Sequence, residues 1–248
     1  MRTANPALNA KTFDRIGSES LGNKVMTIQG TVNKTAVLLF CLIVPAVLIW
    51  NQFYSAGNPG VVMPWMFGGA IGGFIIALVT VFKKQWAPVT APIYSVLEGF
   101  FVGGISAVFE AQFPGIVMQA VGLTMCTLFG LLAAYKSGLI KVTENFRLGV
   151  IAATGGIALI YFLSFILRFV GIGIPFIHDS GLLGIGFSLF VVTVAAMNLV
   201  LDFDFIESGA GQGAPKYMEW YAAFGLMVTL IWLYIEILRL LAKLKSRR

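Results

Sequence analysis

Seven apolar runs, each about 20 residues long, follow one another with little interruption between positions 35 and 242. That length crosses the ~30 Å hydrocarbon layer of a bilayer as an α-helix. No water reaches that layer, so every backbone N–H and C=O must be satisfied by helix or by a closed barrel. A barrel would show short strands of alternating polarity, whereas these runs are continuously apolar. The chain therefore reads as all-α, a polytopic bundle of seven transmembrane helices near 35–54, 62–82, 89–109, 116–135, 148–170, 182–204 and 219–242. Only 11% of its residues are charged, against about 25% in a soluble domain.

Residues 1–33 form a polar tail, 34–244 the seven-helix domain and 245–248 a basic C-terminal tail. Connections are short and rich in Gly, Pro, Asn and Lys, as in a bundle without a second domain. The first run follows thirty-odd polar residues and lacks a small-residue cleavage pattern, so it is expected to stay as an anchor. Cys41 and Cys126 both fall inside apolar runs and read as small core residues, not a disulfide pair. The net charge of +6 suits a membrane surface. It does not suggest nucleic acid, because the basic residues sit in loops and tails without interleaved aromatics.

Lys and Arg set the expected orientation. Arg2, Lys11, Arg15, Lys24 and Lys34 precede the first helix, Lys83 and Lys84 follow the second, and Lys136, Lys141 and Arg147 follow the fourth. The first and third loops have none, and the fifth has Arg168 at its edge beside His178 and Asp179. The N-terminus is expected to be cytoplasmic, as is the loop between the sixth and seventh helices. Seven crossings then put the C-terminus outside, against the pull of Lys243, Lys245, Arg247 and Arg248. Either the early helices overrule those charges or the last segment stops short. Gly68 with Gly72, Gly69 with Gly73 and Gly99 with Gly103 recur at the spacing that lets helices approach closely in lipid.

The acids are few and oddly placed. Asn198-Leu-Val-Leu-Asp-Phe-Asp-Phe-Ile-Glu207 closes the sixth run and holds Asp202, Asp204 and Glu207. A helix C-terminus carries partial negative charge and disfavours charged carboxylates, so acids kept there are candidates for use. If the turn is centred near Gly211, Asp202 and Glu219 lie at similar depth on an antiparallel hairpin. Two such carboxylates cannot both ionise cheaply, and they offer oxygens to a hard cation such as Ca²⁺. Asp204 and Glu207, three apart, read as the loop-side, solvated members, with Asp204 also expected along the ion path.

Lys83 closes the second helix on the same side and can pair with Asp202 as a latch. Glu98 lies deep in the third run, where a charge costs about 2.5–3.5 kcal/mol, and is expected to line an ion path. Glu236 and Arg239 are spaced to pair with each other, and His178 is expected to be solvated in an outer loop. No His-Glu-x-x-His, ligand-spaced Cys pair or Gly-x-Ser-x-Gly occurs. No enzyme is expected.

Five stretches together resemble the Bax inhibitor-1 family, and within it a bacterial subgroup. They are Arg2-Thr-Ala-Asn-Pro-Ala-Leu-Asn9, Met26-Thr-Ile-Gln-Gly-Thr-Val-Asn-Lys34, Glu98-Gly-Phe-Phe-Val-Gly-Gly-Ile-Ser106, Asn198–Glu207 and Trp232-Leu-Tyr-Ile-Glu-Ile-Leu-Arg-Leu-Leu241. The resemblance implies seven helices, the last one central between two three-helix layers, in a bacterial cytoplasmic (inner) membrane. It implies a pH-sensitive leak of Ca²⁺ or protons governed by aspartates on the sixth and seventh helices, one of them latched by a basic residue closing the second. Asp202 matches the first aspartate and Lys83 the basic position. The second aspartate falls at about Thr229, which leaves Glu219 or Glu98 to substitute, with Glu219 favoured by depth. The resemblance also suggests the alternative of a non-conducting modulator of a membrane protease or stress response. Expected partners are the lipid bilayer and such a membrane protein. No cofactor is expected beyond Ca²⁺ as a transported or bound ion.

Overall fold

Thr27 starts the first helix. Its backbone is extended (φ −130°, ψ 149°) and its hydroxyl accepts the Gly30 N–H at 3.0 Å, an N-cap that satisfies one of the free donors of α1, Ile28–Ala56. Gly57, in the left-handed region at φ 62°, ends it and donates to the Phe53 carbonyl. The structure is a computed structural model and describes residues 25–169 and 181–247. Six further helices follow: α2 (Met63–Phe82), α3 (Ala87–Gln112), α4 (Ile116–Lys136), α5 (Glu144–Phe169), α6 (Leu182–Gly211) and α7 (Met218–Ser246). Single 3-10 turns at Pro59–Val61 and Lys84–Trp86 lead into α2 and α3. All seven expected spans are present, each long and apolar enough to cross a membrane.

α7 is the most buried of the seven and packs against α1, α3, α4 and α6. Around it, α3 packs on α1 and α2, while α6 packs on α4 and α5. The last helix is thus central between two three-helix groups, as the resemblance implies. The outward faces carry large apolar side chains, Phe40 at 68% exposed among them, with Phe74 and Phe162 similar. Such faces suit lipid and would be unfavourable in water.

Small residues set the closest approaches. A Cβ at Gly99 would collide with Leu42 and Pro45 of α1, and one at Gly103 with Ala46. Gly69 and Gly73 admit Leu97 and Glu98 of α3 in the same way, whereas Gly68 faces open space and has no such role. Cys41 and Cys126 are free.

Two expectations about helix ends are corrected. α1 begins at Ile28 and not at 35, and α6 continues to Gly211 and not to 204. Helices outlast the hydrocarbon-length run because burial continues: Phe203 and Ile206, three apart, stay buried. Gly209 lies against Met26, whose Sδ would be 3.0 Å from a Cβ there. The α6–α7 turn is therefore 212–217, and Gly211 belongs to the helix. α7 is unbroken over 29 residues, about 43 Å at helical rise, which is long enough to cross the hydrocarbon layer. Its basic end lies opposite Thr27, where Lys243 Nζ donates to Ser188 Oγ at 2.8 Å and Lys245 Nζ to the Pro114 carbonyl at 3.0 Å. The tail through Lys24, His178, Asp179 and Arg248 lie outside the described residues.

Candidate functional site: the Asp202 cleft

Asn198 and Asp202 are one turn apart on α6 and share a face. That face borders a cleft of about 800 Å³ between α2, α5, α6 and α7. Asn198 Nδ2 donates to Thr154 Oγ1 of α5 at 2.8 Å and to the Val194 carbonyl at 2.9 Å. Gly225 of α7 faces the Asp202 carboxylate, whose Oδ1 would be in ordinary contact, at 3.9 Å, with a Cβ there. The Thr229 hydroxyl lies beside Asp202, and both residues line the cleft. That hydroxyl also has the Gly225 carbonyl at 3.3 Å, and its one proton can serve only one of the two. Asp202 Oδ2 is buried with no hydrogen-bond partner among the described residues. A buried polar atom left unpaired costs about 1–3 kcal/mol, and more when charged.

The rim of the cleft is charged. Arg147 Nη2 meets Asp204 Oδ2 at 2.8 Å, and Nη1 meets Glu144 at 3.2 Å. Tyr221 lies under Lys84, whose Nζ is 5.2 Å from the ring centroid.

Four expectations about the surroundings of Asp202 are corrected. Asp202 is not at a helix end: nine residues, roughly 14 Å of helix, separate it from Gly211, and the end effect fades within one turn. Lys83 caps α2, is exposed and is not part of the cleft lining, so no Lys83–Asp202 latch is formed; Arg147 supplies the cation at the rim. Asp204 and Glu207 are not simply solvated, because Asp204 pairs with Arg147 and Glu207 accepts the Tyr135 hydroxyl at 2.6 Å. Glu98 is half-buried against Gly73 in the α2–α3 contact and does not line the cleft. It lies one turn from Tyr94, which meets the cleft residue Phe224 edge-on with ring centroids 4.9 Å apart.

Glu219 is the largest correction. It is the second residue of α7 and fully buried, and it does not share a site with Asp202. Thr27 donates to Glu219 Oε1 through its N–H at 2.9 Å and its hydroxyl at 2.8 Å. Lys34 pairs with Oε2, and Lys216 with Oε1 at 2.9 Å. A Cβ at Gly30 would overlap this carboxylate. One acid thus sits against the N-terminal ends of α1 and α7, where partial positive charge favours it, and between two lysines. Beside it, the Met26 N–H donates to the Ala214 carbonyl at 2.7 Å. The lead-in to α1 is fastened to the α6–α7 turn. The Ca²⁺ position expected between Asp202 and Glu219 is not assembled. Among the described residues no group of three or more His, Cys, Asp or Glu side chains gathers.

At the far end, Glu236 is buried. It pairs with Arg239 at 3.0 Å, as its spacing suggests, and also accepts the Tyr161 hydroxyl at 3.0 Å. Sequence reasoning misses Arg147, Thr154 and Tyr161 because each acts through a partner on another helix. Only the Asn198/Asp202 spacing offers a signal.

A seven-helix bundle with a central last helix and one incompletely paired acid in a cleft defines a polytopic membrane protein built around an acid-bearing core. The chain belongs to the Bax inhibitor 1-like family, whose model matches residues 5–246. Neither the curated proteins nor the solved structures compared with it yield a match.

Proposed function

We propose that this protein is a cation leak pathway of a bacterial inner membrane, carrying Ca²⁺ or protons, with gating set by the protonation of Asp202. The observation that carries this reading is the Asp202 carboxylate itself, with one oxygen buried and unpaired beside an 800 Å³ cleft. A negative charge there attracts a cation, and protonation removes that attraction. Protonation also relieves the cost of burying an uncompensated charge, which biases how closely α6 and α7 pack. The groups facing the cleft are Asp204, Arg147 and Tyr221, with Lys84 over Tyr221. The Arg147–Asp204 pair takes the rim position that charge alone suggests for Lys83. Positive residues before α1 and in the even-numbered loops support a cytoplasmic N-terminus and a cleft open to the cytoplasm.

Purified protein in liposomes holding a trapped Ca²⁺ dye tests the reading, across a pH series and with ions exchanged. Flux above that of protein-free liposomes, varying with pH, is expected. Flux equal to the protein-free control at every pH and with every ion contradicts it.

A second reading, a non-conducting modulator of a membrane protease or stress response, is favoured by the fastening of Val25–Thr27 to the α6–α7 turn. A partner holding the tail would act on the hairpin that carries Asp202. Removal of residues 1–24, which spares the Val25–Pro215 bridge, separates the two readings. A leak survives the deletion, and a tail-borne activity does not.

A further inference from the structure

Beyond the cleft, α5, α6 and α7 present the same succession of side chains along one seam: polar, apolar, polar. Thr154 to Tyr161 on α5 and Thr229 to Glu236 on α7 are each seven residues, close to two turns, and Ser188 to Asp202 on α6 is close to four. Each set therefore shares a face. At the near end Asn198 is bonded to Thr154, and Thr229 and Asp202 line the same cleft. At the far end the Tyr161 hydroxyl donates to Glu236. Between them Ile157, Val191 and Val194 form a buried cluster of their own, with Trp232 packed against it. The far end has its own cavity, about 330 Å³, in which Glu236 stands beside Ser188, Arg239 and Lys243, the lysine donating to Ser188.

We propose that this seam is the route of the leak, with Glu236 the far-side ligand of the permeating cation and the Ile157–Val191–Val194–Trp232 cluster its barrier. The inference rests on the cation-leak reading above. The barrier is about 10 Å long by the rise from Thr229 to Glu236, short enough to be wetted from a polar group at either end. Apolar constrictions of this kind gate by excluding water. Arg239 closes Glu236 in the resting state. The Arg239 side chain is 44% exposed and can withdraw to the surface, whereas that of Glu236 is 2% exposed and stays in the seam.

The test uses the full chain in liposomes with a trapped Ca²⁺ dye. Val191→Thr and Val194→Thr keep side-chain shape and add a hydroxyl to the barrier. Each is expected to raise Ca²⁺ flux on the order of tenfold, the change that ~1.4 kcal/mol off a barrier produces. Glu236→Gln is expected to lower flux by a similar factor, and Glu236→Asp to retain most of it. Gel filtration and thermal melts establish that each variant is folded. Threonine variants that leak like wild type, while Asp202→Asn alters flux, overturn the seam and leave the Asp202 gate standing. Equal loss in Glu236→Gln and Glu236→Asp overturns the ligand role of Glu236. Wild-type flux no greater than protein-free liposomes removes the leak reading and the seam with it.

Discussion

The side chain of Thr229, midway along α7, lies beside the Asp202 carboxylate on α6, and the two line one cleft. It occupies the place where the family resemblance puts a second aspartate. The acid is left with a neutral neighbour whose hydroxyl donates to the Gly225 carbonyl, and one of its oxygens is buried without a partner among the described residues.

Thr229→Val keeps the shape of the side chain and removes that donor. Loss of the hydrogen bonding of that hydroxyl should cost about 0.5–1.5 kcal/mol, read as a lower Tm in detergent. In an Asp202→Asn background the same change should cost less, since the partners are coupled. Equal costs in both backgrounds would show that the two side chains do not interact.

Gly30 and Glu219 form the second coupled pair. Gly30→Ala forces a Cβ into the buried Glu219 carboxylate and should destabilise by about 1–3 kcal/mol, as overpacking does. Combined with Glu219→Ala the added cost of Gly30→Ala should shrink towards zero. Thermal melts of the four proteins of the cycle check this, and strict additivity would contradict it.

The two lysines at Glu219 differ in depth. Lys34→Met leaves a buried acid short of its main cation, a change that costs about 3–5 kcal/mol for buried pairs. Lys216 is about half exposed, at 47%, and Lys216→Met should cost no more than about 1 kcal/mol. Chemical denaturation of the two variants side by side tests the order, and a reversed order would sink it.

At the rim, Arg147→Gln removes the cation from Asp204. Both partners are partly exposed, so the stability change should stay within about 1 kcal/mol, while flux through the cleft changes. An unaltered flux with normal folding would remove the rim pair from the gate.

The helices are visible in sequence because lipid imposes one rule on every backbone group, and 20-residue apolar runs follow from it. Their ends are not, because α1 and α6 continue on packing contacts that hydropathy does not register. That shift undoes the depth argument for Glu219. A turn centred near Gly211 would put Glu219 level with Asp202, but α6 runs through Gly211. Of the partners of Glu219, Lys216 is three positions away, but Thr27 and Lys34 are 192 and 185 positions away, a separation no local pattern can bridge. Thr229 is reached by aligning the Ile-Leu-Arg-Leu-Leu end of α7, and the structure puts it beside Asp202. For Lys83 the sequence shows charge and position at the end of an apolar run, but not the direction of the side chain, which decides whether a latch forms. Glu236–Arg239 is readable because both partners lie on one helix.

Ca²⁺ flux through wild type and Asp202→Asn, measured in the same liposomes across one pH series, bears most directly on the proposed gate. The account predicts a pH-dependent wild-type flux and a flat profile for the variant, which keeps the shape of the side chain and cannot ionise. Two profiles with the same pH dependence would contradict it.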